Sequence, residues 1–102
     1  MPYAYQTTGL IDGSMDEILA ISKKYRDRMD SIDGIMHRIV MKVENDDIAC
    51  SIYVCVDKVS ALKVQTVMQD IMSEAGEMAP FFTEYIFEIV ESELFPQNLS
   101  TR

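Results

Sequence analysis

The spacing of apolar side chains alternates along this chain between steps of two and steps of three or four, and each change marks the edge of an element. Tyr3 to Leu10 carries aromatic and β-branched residues ahead of Asp12-Gly13, which predicts a first strand. Ser14 followed by Glu17 forms a capping box in which hydroxyl and carboxylate each satisfy an orphan backbone N–H. The helix it opens buries Ile18, Ile21, Tyr25, Met29 and Ile32, and Gly34 supplies a left-handed stop. From Ile35 the period becomes two: Ile39, Met41 and Val43 alternate with Arg38, Val40 and Lys42, Asn45-Asp46 offers a turn, and Ile48 to Val56 alternates again. A two-residue loop sets His37, Ile39, Met41 and Val43 on one face with Ile48, Cys50, Ile52 and Val54. A three-residue loop would place Lys42 and Glu44 beside Ile48 and Cys50, so burial selects the shorter one. Asp57 caps a second helix with apolar positions Val64, Val67, Met68, Ile71, Met72 and Ala75, ended by Gly76 and Pro80. Met68 and Met72 at this spacing read as gap-fillers of a core. After Phe81-Phe82, the residues Tyr85, Phe87 and Ile89 alternate with Ile86, Glu88 and Val90, a last strand that extends toward Leu94 before a tail over 95–102.

The order is βαββαβ, an α+β arrangement in which right-handed crossovers put both helices on one face of a four-stranded antiparallel sheet. The nearly all-apolar face with Ile39 and Val54 is expected to lie under the helices, and His37, on that side, to be a buried neutral imidazole bonded to backbone. The other face carries Met36, Arg38, Val40 and Lys42, then Ala49, Ser51, Tyr53 and Cys55, then Ile86, Glu88 and Val90. That mixture is too apolar for water to cover alone, so a second copy of the chain is expected to close over it as a homodimer.

Length and charge narrow the picture further. At 102 residues the chain suits one domain, spanning 1–102. Seventeen acidic against nine basic residues give a net charge of −8, which repels a polyanion and argues against nucleic acid. The one basic cluster, Lys23, Lys24, Arg26 and Arg28, is interrupted by Asp27 and Asp30 and reads as a solvated face. No apolar run has membrane-spanning length and the first ten residues lack a secretory pattern, so a cytoplasmic protein without a membrane partner is expected. Cys50 and Cys55 leave opposite faces of one strand, so they read as free thiols in a reducing compartment. His37 lies too far along the hairpin from Cys50 to share a metal, and neither a metal nor a cofactor is expected.

Ser14-Met15-Asp16-Glu17 opening the first helix, Ile32-Asp33-Gly34-Ile35 before the hairpin, Asp57-Lys58 leading into the second helix and Met78-Ala79-Pro80-Phe81 before the last strand together resemble the dimeric α+β barrel superfamily. Within it the chain looks most like small proteins related to antibiotic biosynthesis monooxygenases. The resemblance covers most of the chain and implies a ferredoxin-like protomer, a homodimer built by sheet packing, and a cleft between sheet and helices or inside the barrel. Cofactor-independent oxygenases of this group use Asn, Trp and His around the substrate. This sequence has no Trp, its Asn45 and Asn98 read as turn and tail, and His37 alone remains.

The candidate pocket residues are Arg38, Tyr53, Glu88, Ser51 and Cys55. Arg38 and Tyr53 fall opposite each other across the hairpin, where guanidinium and phenol could grip a carboxylate or enolate oxygen, or stack as a pair that supports the dimer. Glu88, flanked by Ile86 and Val90, could serve as a base or pair with Arg38, and Cys55 is either a nucleophile or a small packed thiol. Two functions follow: an enzyme acting on a small aromatic or carbonyl-bearing metabolite, or a non-catalytic dimer that binds a ligand or supports another protein.

Overall fold

The computed structural model describes residues 1–10, 16, 19–20, 23, 26–46, 48–75 and 82–96. Its elements are β1 (Tyr3–Leu10), α1 (Arg26–Asp30), β2 (Ile35–Lys42), β3 (Ile48–Cys55), α2 (Lys58–Ala75) and β4 (Phe82–Glu88). Asp16, Leu19, Ala20 and Lys23 are also helical, along the predicted first helix. Its capping box and the expected core positions Ile18, Ile21 and Tyr25 lie outside the described residues, as do Gly76, Pro80 and the end of the tail.

The strands form one antiparallel sheet in the order β2-β3-β1-β4. The hairpin has the expected register, with His37 opposite Val54, Arg38 opposite Tyr53 and Met41 opposite Cys50. Its chain reversal uses Asn45 at φ 62°, a left-handed turn closed by the Asp46 N–H donating to the Val43 carbonyl at 3.3 Å. Asp57 caps α2 as expected: its Oδ1 accepts from the Ser60 N–H at 2.9 Å, and bonds from Ser60 hold its carboxyl below the usual range. Gly34 takes the predicted left-handed conformation at φ 96°.

The core lies between α2 and the sheet. Ala61, Val64, Met68 and Ile71 of α2 meet Tyr5, Tyr53 and Cys55 of the central strands, with Met29 of α1 at the margin. This reverses the expected assignment of the two faces. The side carrying Arg38, Ser51, Tyr53 and Cys55 faces the helices, and the side carrying His37, Ile39, Met41, Ile52, Val54, Tyr85 and Phe87 is the open one. His37 is accordingly exposed, not buried.

The physical reason lies at both ends of the hairpin. A bulge at Met36 shifts the pairing between Ile35 and His37, so Ile35 packs on the core beside Cys55 while Met36 is 63% exposed. The Val56 N–H donates to the Gly34 carbonyl at 2.8 Å and Ser60 packs against Gly34, which leads the chain from Cys55 straight into α2 on the Cys55 side. Two buried tyrosines, absent from the sum of aliphatic positions, fill that side instead of the β-branched residues.

β4 also ends earlier than expected, at Glu88. Its partner β1 begins at Tyr3, and after the Ile89 N–H donates to the Pro2 carbonyl at 3.0 Å no neighbouring strand remains for it to pair with among the described residues.

Candidate functional site

One row of side chains crosses the helix side of the sheet: Arg38 on β2, Tyr53 on β3, Tyr5 on β1 and, one step along, Glu84 on β4. Pleating brings these residues to one face because they fall opposite one another in register. The Arg38 guanidinium stands over the Tyr53 ring, with Cζ 5.8 Å from the centroid. The Tyr5 hydroxyl donates to Glu84 Oε2 at 2.6 Å, and Gln69 of α2 donates through Nε2 to Glu84 Oε1 at 2.7 Å. The carboxylate thus accepts one bond from the sheet and one from the helix above it. A guanidinium stands near one end of the row and a carboxylate near the other.

Burial sets the protonation of the tyrosines. Tyr5 is fully buried, and desolvation, the bond to Glu84 and the charges around it push its phenol far above the ordinary value. Desolvation also raises Tyr53, opposed by the Arg38 charge. Both phenols are therefore neutral donors across the physiological range. A folded-state value above the unfolded one means the stabilisation is complete below the unfolded value and is lost as pH climbs past it. Unfolding free energy is therefore expected to fall above about pH 10 by up to about 1.4 kcal/mol per pH unit for each tyrosine. In urea titrations between pH 8 and 12, Tyr5→Phe should be less stable than the parent at pH 8 by about 1 kcal/mol but should lose stability less steeply above pH 10. An unchanged slope would rule out this origin.

Of the residues singled out in the sequence, the fold brings Arg38, Tyr53 and Ser51 to the same side, Ser51 one step further along β3 opposite Thr7 and Val40. Cys55 is fully buried there; its Sγ donates to the Tyr53 carbonyl at 3.8 Å, and burial pushes the thiol up, with Asp57 adding to the shift. It is a packed thiol. Glu88 is exposed at the end of β4, opposite Tyr3, with β1 and β3 between it and the strand of Arg38. Sequence reasoning missed Tyr5, Glu84 and Gln69. Tyr5 was legible as a side chain alternating with Ala4 and Gln6, but its place opposite Tyr53 needed the pairing of β1 with β3, which no local pattern encodes. An open groove of about 570 Å³ between Ser31, Asp33, Val59 and Leu62 lies along the flank of the helices, and none of the candidate residues lines it.

No family model and no functionally curated protein matches the sequence. Solved structures do match the fold. A mutant of SnoaB, a cofactor-independent oxygenase from Streptomyces nogalater, superposes with a TM-score of 0.71 at 8% identity, over 89% of this chain and 95% of that one. A dimeric ferredoxin-like protein from an uncultured marine organism gives 0.67 at 11%, over 93% of each chain. An antibiotic biosynthesis monooxygenase candidate from Chloroflexus aurantiacus gives 0.67 at 15%, over 91% of this chain and 97% of that one. The chain has the ferredoxin-like α+β fold, and its structural neighbours include antibiotic biosynthesis monooxygenase-like proteins. No described helix is long and apolar enough to cross a membrane.

Proposed function

We propose that this chain is a homodimeric α+β barrel protein that takes a small aromatic or carbonyl-bearing metabolite between sheet and helices and acts on it without a cofactor. The observation that carries this reading is the polar row on the helix side of the sheet, in which half-buried Arg38 and Glu84 flank the buried Tyr53 and Tyr5. Structural proteins gain little from a guanidinium, two phenols and a carboxylate placed where aliphatic side chains would pack. Arg38 and the Tyr53 hydroxyl supply donors for a carbonyl or enolate oxygen, and Ser51 extends the donor set along β3. Cys55 and Glu88 lie at the same end of the sheet and contribute shape and charge there. The open apolar face is the natural surface for a second copy, and one ferredoxin-like structural neighbour is itself dimeric. Two free thiols fit the reducing cytoplasm.

A panel of quinones, hydroxyquinones and aromatic ketones screened by thermal shift tests the reading. A ligand at about a hundred times its Kd is expected to stabilise the parent by about 2.7 kcal/mol. Arg38→Ala should lose about half of that gain or more, a loss of about tenfold or more in affinity. If no compound in the panel stabilises the parent, the site reading fails. The competing reading, a non-catalytic ligand-binding or structural dimer, draws on the commitment of the Tyr5 hydroxyl to Glu84 and on the protonated Cys55 thiol. Binding without turnover would select it.

A further inference from the structure

On the helix side of the two central strands, the side chains shrink along the sheet toward the hairpin turn. Tyr53 and Tyr5 face each other, then Ser51 and Thr7, then Ala49 and Gly9. The floor beneath the helices therefore drops by the depth of a ring one step beyond the phenols. Thr7 is only 6% exposed and Ser51 is half-buried. Among the described residues no group hydrogen-bonds with the hydroxyl of either one. A buried hydroxyl left in that state costs stability, and valine or alanine would pack at these places without the cost.

What these hydroxyls face defines what they bind. Thr7 lies opposite Glu84 of β4, one strand spacing of about 4.8 Å away. Tyr5 and Gln69 each donate to a different oxygen of that carboxylate, which fixes its direction and leaves each oxygen a further lone pair. An anion beside it would be repelled, so the group that completes the cluster must bring a hydrogen of its own. Ser51 lies on the other side of Thr7, next to Tyr53 along the same face of β3 and diagonal to Arg38. Hydroxyl, phenol and guanidinium there suit an acceptor. The floor is polarised across the central strands, with donors toward β2 and a fixed acceptor on β4.

We propose that Thr7 and Ser51 form a subsite that reads an uncharged hydroxyl of the ligand: this hydroxyl donates to Glu84 and accepts from Thr7, while a carbonyl of the same molecule turns toward Ser51 and Arg38. The ligand class narrows to small molecules that carry both groups, and a carboxylate in place of the hydroxyl is rejected. The inference deepens the ligand reading above and rests on it, and on no part of the dimer.

Para-hydroxyacetophenone and its methyl ether, titrated into the full chain by isothermal calorimetry at about pH 6, where a phenol keeps its proton, test it. The hydroxyl compound is expected to bind about tenfold or more tightly than the ether, because the ether cannot donate to Glu84. Thr7→Val should lose most of that preference by weakening the hydroxyl compound alone, and Ser51→Ala should weaken both compounds. Stability separates this role from a structural one. Thr7→Val should raise the urea midpoint at unchanged slope, since it removes a buried hydroxyl that has no partner among the described residues. Equal binding of the two compounds by the parent, a full preference surviving in Thr7→Val, or a lower urea midpoint in that variant overturns the subsite. Absence of any binding by para-hydroxyacetophenone overturns it as well. In each case the ligand reading stands if a quinone of the thermal-shift panel stabilises the parent, and falls too only if the whole panel is silent.

Discussion

A chain carrying Phe87→Asp is expected to sediment as a folded monomer at concentrations where the parent is dimeric, its dimer affinity lower by about a thousandfold. Phe87 stands on the open side of β4, 46% exposed in the isolated protomer, and its ring stacks on Tyr85 at 5.7 Å between centroids. Its cross-strand row on that side holds Ala4, Val54 and His37, the next row brings Tyr85 and Ile52, and among the described strand residues no lysine or arginine projects there. A carboxylate introduced at that point costs the protomer little, because water reaches it and exposed substitutions typically shift stability by less than about 0.5 kcal/mol. Closing a second sheet over it would strip that water with no cation to replace it, at a cost of about 4 kcal/mol, which corresponds to the thousandfold loss. Circular dichroism should match the parent. A dimer of unchanged affinity would mean that the two copies do not meet through this face.

The elements were legible in the sequence and the sidedness of the sheet was not. Strand limits at Tyr3–Leu10, the hairpin register, the Asp57 cap and the Gly34 stop each depend on interactions a few residues apart, which spacing and turn chemistry report directly. Which face the helices cover depends on the bulge at Met36 and on the path from Cys55 into α2, and both are tertiary. Hydrophobicity alone pointed to the wrong side, because the open face of this sheet is as apolar as a face covered by helices. The same ambiguity hid the site. Arg38 opposite Tyr53 followed from the hairpin register, whereas Tyr5, Glu84 and Gln69 reach it from residues 79 and 15 positions apart in sequence, through contacts that no local window contains.

Gly34→Ala is expected to destabilise the protomer by about 3 kcal/mol, read as a lower urea midpoint at unchanged slope. Two costs add. At φ 96° an L side chain is strained by about 1–2 kcal/mol, and the new methyl group would run into Ser60 Oγ while lying 2.9 Å from Val56 Cγ2 and 3.1 Å from Ser60 Cβ. Forcing a methyl group into packed surroundings adds about 1–3 kcal/mol. The neighbours cannot yield freely. Ser60 is buried, its N–H caps α2 through Asp57, and its hydroxyl donates to the Asp33 carbonyl at 3.3 Å, so moving it loosens the join between the hairpin and the helix that roofs the site. A double-mutant cycle separates the two costs. Adding Ser60→Ala removes the hydroxyl that the new methyl group strikes but leaves the backbone strain, so the double variant should be more stable than the sum of the single losses by about 1 kcal/mol. Strict additivity would assign the whole effect to backbone conformation, and a loss below about 0.5 kcal/mol for Gly34→Ala alone would mean that this turn does not hold α2 against the sheet.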